Sequence, residues 1–140
     1  MLDPVLNKKE SIERCVRQIR RYYELPSETP FAEDQLKQDA ISANLQRLCQ
    51  LAIDLANLTI RKKKLGLPKD SADSFQLLVN AGVIEQSMGN KLKGMVGFCN
   101  ILVHEYTELD LNLMTDVIEN HLDDIIEFAQ QIVLQFSDVE

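Results

Sequence analysis

The chain has 140 residues and a formal net charge of -7, a length that suits one domain over residues 1–140 with a real core. Hydrophobic residues make up 45% while Gly and Pro number five and four; this argues against a turn-rich sheet protein, and no apolar run approaches the roughly 18 residues of a membrane span. The first residues, MLDPVLNKKES, lack the charged-then-apolar order of a signal peptide, and Cys15, Cys49 and Cys99 form neither CxxC nor a zinc pattern, so the expectation is a cytoplasmic protein with no bound metal and three reduced, mostly helix-borne cysteines.

Asp3-Pro4 reads as a helix start, with Asp as cap and Pro in the first turn. The first helix is predicted from Val5 to Leu25, on an apolar line of Val5, Ile12, Val16, Ile19 and Tyr23, and Pro26 stops it. After a connection over 26–34, a second helix is predicted from near Glu33 to Lys63. Its stripe runs through Leu36, Ala40, Ile41, Leu45, Leu48, Ala52, Leu55 and Thr59, widened by Leu51 and Leu58. A helix of about 30 residues is long for a small domain. It is either the central helix of a bundle or a dimer seam, and the width of the stripe suits both. Arg47 and Asp54 share a face seven residues apart; Asp54 either orients a group across the bundle or is simply solvated.

The segment from Gly66 to Asp73 is a hinge, and Asp70 or Ser71 can cap a short helix over Ala72 to Asn80, with Gly82 left-handed after it. A fourth helix is predicted from about Glu85 into the segment HEY at 104–106. Gly94 and Gly97 within it lie on one face, which predicts close approach of another backbone or of a ligand. Asp110 can cap a last helix reaching about Phe136, with Leu113, Val117, Leu122, Ile125, Ile126, Ala129, Ile132, Val133 and Phe136 as its buried stripe. No convincing strand is present. The predicted fold is all-α, an antiparallel helical bundle of four long helices plus one short helix.

Charge is unevenly placed. All 15 basic residues lie at or before Lys93, and from Glu105 onward there are ten carboxylates and no Lys or Arg. The acidic C-terminal helix suits a basic partner surface better than a phosphate backbone. The first helix and the run Arg61, Lys62, Lys63 and Lys64 are the candidates for contact with nucleic acid, or else are solvated faces.

The stretch KLKGMVGFCNILVHEYTELD at 91–110 carries the densest chemistry. Asn100 and His104 are one helical turn apart and Tyr106 follows at once. The three are either a catalytic set or the polar trimming of a helix end.

Three segments carry a resemblance: AIDLANLTI at 52–60, LGLPKDSADSFQLLVNAGVI at 65–84 and MVGFCNILVHEY at 95–106. With them the chain resembles the HepT-like toxins of the all-helical HEPN class, over nearly its whole length. That resemblance implies a HEPN-like fold and a metal-independent endoribonuclease acting on RNA, transfer RNA included. The family motif is Arg-Asn, three residues, His, one residue, Tyr. It matches Asn100, His104 and Tyr106, while Cys99 stands where the family has Arg. The resemblance further implies a homodimer with paired motifs. Its partner would be a nucleotidyltransferase antitoxin that uses ATP to transfer AMP to the tyrosine, here Tyr106. No cofactor is implied for RNA cleavage itself.

His104 is suited to move protons because its ordinary pKa is near neutral. A guanidinium at position 99 would offer a fixed charge to phosphate; a thiol does not. The expectation is an attenuated ribonuclease toxin. The alternative is a non-catalytic HEPN partner that binds the nucleotidyltransferase or nucleotide without cutting RNA. A role for Cys99 as nucleophile has no visible activating group.

Overall fold

The computed structural model describes residues 2–104 and 111–137, and at Leu2, 102–104 and Ser137 the backbone alone. Helix α1 spans Leu2–Glu24. It starts earlier than the Asp3 cap predicts. Asp3 lies inside the first turn, where its charge faces the positive end of the helix, and Pro4 needs no donor there. A single 3-10 turn, Phe31–Glu33, precedes α2, Gln35–Lys63. The cap of α2 is Asp34, whose carboxylate accepts from the Lys37 amide at 3.0 Å and from Ser27 Oγ at 2.9 Å. Lys64 ends α2 in the left-handed region at φ 56°.

Helix α3, Ser71–Asn80, is capped by Asp70, which accepts from the Asp73 amide at 2.8 Å. Gly82 takes φ +75° after it, as its position predicts. Helix α4 is Gln86–His104. The last segment is α5, Leu111–Asp116, a π turn, Val117–His121, and α6, Leu122–Ser137. Asp110, the expected cap of this segment, lies outside the described residues. No strand occurs among the described residues, and the architecture is the expected bundle of four long helical segments and one short helix. No helix there is long and apolar enough to cross a membrane.

Side-chain pairs fix the helix directions. Lys8 Nζ meets Asp54 at 3.6 Å while Lys37 Nζ donates to the Leu25 carbonyl at 2.7 Å, so α1 and α2 run antiparallel. Cys99 lies opposite Leu45, and Cys49 opposite Met95, so α2 and α4 are antiparallel too. The core takes Ile12, Ile19, Leu45, Leu48, Leu55, Phe75 and Phe128, all fully buried. Each such side chain contributes about 1.5–3 kcal/mol relative to its exposed state. Phe75 and Phe128 meet edge to face at 5.9 Å. The predicted stripe on α2 is buried from Ile41 to Thr59, with Leu51 and Leu58 half-buried at its edge, but Leu36 at its start is 83% exposed.

Candidate active site

The motif lies at the end of α4. Cys99 faces inward and is 4% exposed. Asn100, one helical step of about 100° further round, is exposed. His104 is the last residue of α4, one turn beyond Asn100. The His104 side chain and all of Tyr106 lie outside the described residues, so the structure places Cys99 and Asn100 of the four expected site residues.

The expectation of three reduced cysteines is corrected at two of them. A disulfide joins Cys49 of α2 to Cys99 of α4, with Cα atoms 6.7 Å apart. Cys15 is free and buried. Its thiol lies against the Asn44 carbonyl at 3.1 Å, and burial raises its pKa against the opposing pull of the Arg47 charge. The disulfide sits where α2 and α4 cross, because both cysteines fall on apolar stripes. Cys49 is in line with Leu45, Ala52 and Ala56, and Cys99 with Leu92, Met95 and Val96. That alignment was available in the sequence; the pairing across 50 residues was not. A small surface cleft of about 80 Å³ opens on the pair, and Gln46, Gln50, Ile53, Val96 and Asn100 complete its lining. Gln46 and Gln50, amides beside Asn100, are site neighbours that sequence reasoning missed. Among the described residues, no cation lines this cleft.

Antiparallel packing decides which basic residues lie near the motif. The run Arg61, Lys62, Lys63 and Lys64 closes the far end of α2, with Arg61 about 18 Å of helix rise beyond Cys49. Lys63 there stands over the Phe136 ring, 5.4 Å from its centre. Arg47, by contrast, sits half a turn from Cys49. It is exposed, makes no ion pair among the described residues, and shares a groove of about 630 Å³ between α1 and α2 with Arg14, Gln18 and Tyr22. Arg47 and Asp54 do not interact. Asp54 instead meets Lys8 across the bundle and accepts from Gln50 at 2.9 Å.

Part of the basic face of α1 is spent on carboxylates. Arg14 pairs with Glu10 at 3.3 Å, Lys9 with Glu13 at 3.0 Å, and Arg20 with Asp123 of α6 at 2.7 Å. The acidic C-terminal segment is thus partly neutralised from within the chain. Lys91 of α4 adds a contact to Asp124 at 3.7 Å.

The glycine face of α4 behaves differently from its prediction within the chain. Among the described residues, a Cβ placed on Gly94 or Gly97 would meet nothing within 4 Å, whereas at Gly89 it would lie 2.6 Å from Val79 Cγ2. Gly94 and Gly97 open onto a groove of about 520 Å³ between α4 and the 111–121 segment, floored by Met95, Phe98, Leu113 and Val117. At one end the π turn brings residues five apart together. His121 Nε2 lies 3.1 Å from Asp116, and Nδ1 lies 3.1 Å from Asp124. Hydrogen bonds from Asn120 and His121 hold the Asp116 carboxyl below the usual carboxylate range.

Comparison with known proteins places this arrangement. The model of the family described as "Ribonuclease HepT-like" matches residues 12–132. The chain is 41% identical over 132 residues to the mRNA nuclease HepT of Shewanella oneidensis, covering 94% of this chain and 98% of that one. The fold superposes with a TM-score of 0.87 and 39% identity on the tri-AMPylated Shewanella oneidensis HEPN toxin solved in complex with its MNT antitoxin, covering 98% of this chain and all of that one. A toxin–antitoxin crystal structure with AMP-PNP matches at a TM-score of 0.86 and 38% identity, over 96% of this chain and 99% of that one. The all-α bundle is therefore that of a HEPN toxin, and the chain belongs to the HepT-like ribonuclease family.

Proposed function

We propose that this chain, acting as one domain over residues 1–140, is the toxin half of a toxin–antitoxin module. Its chemistry is metal-independent cleavage of RNA, transfer RNA being one candidate substrate. The observation that carries the reading is likeness over nearly the full chain to an mRNA nuclease, joined to the Asn100, His104, Tyr106 spacing at the end of α4.

In this reading His104 moves the proton between the ribose 2′-hydroxyl and the leaving 5′-oxygen, and exposed Asn100 holds the phosphate or the imidazole. Position 99 supplies no cation, since Cys99 is bonded to Cys49. Loss of one charge contact to the transition state costs about 3 kcal/mol, roughly a hundredfold or more in rate, so cleavage is attenuated. RNA approaches along the motif end of the bundle, where Arg47 and Arg14 lie, with Arg61, Lys62, Lys63 and Lys64 touching only a longer substrate.

The antitoxin is a nucleotidyltransferase that consumes ATP and places AMP on Tyr106. Support comes from the AMPylated relative in complex with its MNT antitoxin and from the complex with AMP-PNP. Adding AMP would set negative phosphate in an anion-binding cleft and exclude RNA by charge and bulk. We further propose a cytoplasmic homodimer whose glycine face on α4 contributes to the interface.

A second reading is favoured by one observation. Because Cys99 points into the α2–α4 seam, the chain would bind the nucleotidyltransferase without cutting RNA. The test compares metal-free cleavage of total transfer RNA by this chain, by Cys99→Arg, and by Cys99→Arg with His104→Ala. Cleavage restored by Cys99→Arg and lost again with His104→Ala supports the attenuated nuclease; no cleavage by any of the three moves the assignment to the binding partner.

A further inference from the structure

We infer that Cys49 and Cys99 form a reversible thiol–disulfide site that controls how firmly the motif end of α4 is held to α2. Three observations converge on it. First, the disulfide ties two helices at a point where buried apolar residues, Leu45, Leu48, Met95 and Val96, flank the cysteines, and it ends one residue before Asn100.

Second, the reduced state is also provided for. The Met95 carbonyl lies 3.7 Å from Cys49 Sγ, and the Leu45 carbonyl lies 3.6 Å from Cys99 Sγ. Each freed thiol therefore finds an acceptor on the facing helix. Neither oxidation state strands a buried polar group, which is the condition for switching without unfolding. Cys15 differs: it is buried beside Asn44 on the α1 side of α2 and is not part of the pair.

Third, both cysteines line the cleft that also contains Gln46, Gln50 and Asn100. The pair is 3% and 4% exposed, so a thiol reagent enters through this cleft or through its local opening. The reactant class is a low-molecular-weight disulfide, with the corresponding thiol for the reverse direction.

The exchange balances as two displacements. One cysteine thiolate attacks a sulfur of the small disulfide, forming a mixed disulfide and releasing one small thiolate. The second cysteine thiolate attacks the protein-bound sulfur, forming the Cys49–Cys99 bond and releasing the second small thiolate. The two protein thiols are oxidised, the small disulfide is reduced to two thiolates, and the two thiol protons pass to solvent. Small thiols in excess run the sequence backwards.

The consequence lies in helix mobility. Oxidised, α4 is pinned to α2 next to Asn100; reduced, the same turn is held by two weak S–H contacts. An effect on RNA cleavage rests on the function proposed above, whereas the redox site does not. The full chain is therefore equilibrated in mixtures of reduced and oxidised glutathione, quenched by alkylation, and read by intact mass, peptide mapping and amide hydrogen exchange.

The expected result is a form lighter by two hydrogens, with a peptide linking Cys49 to Cys99, Cys15 alkylated only after unfolding, and exchange over 96–101 about tenfold slower when oxidised. Cys49→Ser abolishes the lighter form. Separate alkylation of Cys49 and Cys99 under oxidising conditions, a bond to Cys15, a lasting glutathione adduct, or equal exchange in the two states would each overturn the inference. Absence of RNA cleavage in both states leaves these readouts intact and counts against the nuclease reading alone.

Discussion

Cys99 ends in a bond to Cys49 of α2, while Asn100, the next residue of α4, stands at the surface cleft beside Gln46 and Gln50. One helical step separates the residue at the motif's cation position from the residue that faces solvent. A cation introduced at position 99 starts in the α2–α4 seam and must reach outward past Asn100.

Cys99→Arg is expected to raise RNA cleavage by roughly a hundredfold or more, the effect of one recovered charge contact. It also removes the disulfide and sends an aliphatic stem through a packed seam, its charged end reaching solvent by the cleft. Thermal stability therefore falls while activity rises. Gel analysis of transfer RNA alongside a melting curve reads both, and unchanged cleavage in a folded variant would show that a cation is not what the site lacks.

Phe128→Ala is expected to cost about 3–5 kcal/mol in urea unfolding. Phe128 is fully buried and meets Phe75 edge to face, joining α6 to α3 through the centre of the bundle. Phe75→Ala should cost a similar amount, and the double variant less than the sum, because the two rings share one contact. Strict additivity would mean that the rings act independently.

The helices were legible because their stripes repeat at helical spacing. Ile12, Val16, Ile19, Leu45, Leu48, Leu55, Ile125 and Ile132 are buried as that spacing requires. Legibility failed where periodicity changed or where distance along the chain was large. Met114 and Ile118, at and beside the π turn of Val117–His121, and Phe128, three residues beyond Ile125 in α6, are buried although the predicted stripe omitted them, while Leu113 within that stripe is 38% exposed. The same turn lets Asp116 reach His121, a pair that ordinary helical spacing would separate. The motif could be read from Asn100, His104 and Tyr106, but the Cys49 partner of Cys99 comes from another helix, and no local pattern encodes that crossing.

Asp34 makes stability depend on acid. The Lys37 amide, followed by the Ser27 hydroxyl, hydrogen-bonds its carboxylate and lowers its pKa below the ordinary value of 3.8. A carboxyl whose folded pKa is depressed contributes stability that is present above the unfolded pKa and lost as pH falls through the folded one. Asp34→Ala should therefore lower the urea midpoint at neutral pH, and its difference from the parent should shrink as pH falls below 3.8 toward the folded pKa. A difference that stays constant across that window would assign the loss to something other than the charged cap.

Three glycines of α4 separate the packing within the chain from packing between copies. At Gly89 an added methyl meets Val79 Cγ2 at 2.6 Å, and a branched side chain against α3 has little room to turn. Gly89→Ala should destabilise by about 1–3 kcal/mol. Gly94 and Gly97 are exposed, and a Cβ added at either meets nothing within 4 Å among the described residues. Alanine there should stabilise the isolated fold by roughly 0.5–1 kcal/mol each, through helix propensity. If a second copy packs its backbone on this face, as proposed for the homodimer, the same methyl groups stand between the two chains and the dimer weakens. Sedimentation of Gly94→Ala with Gly97→Ala, set beside a urea curve of the monomer, reads both effects at once. A gain in monomer stability with dissociation at lower dilution places the interface on the glycine face, and a dimer of undiminished affinity moves it to another surface.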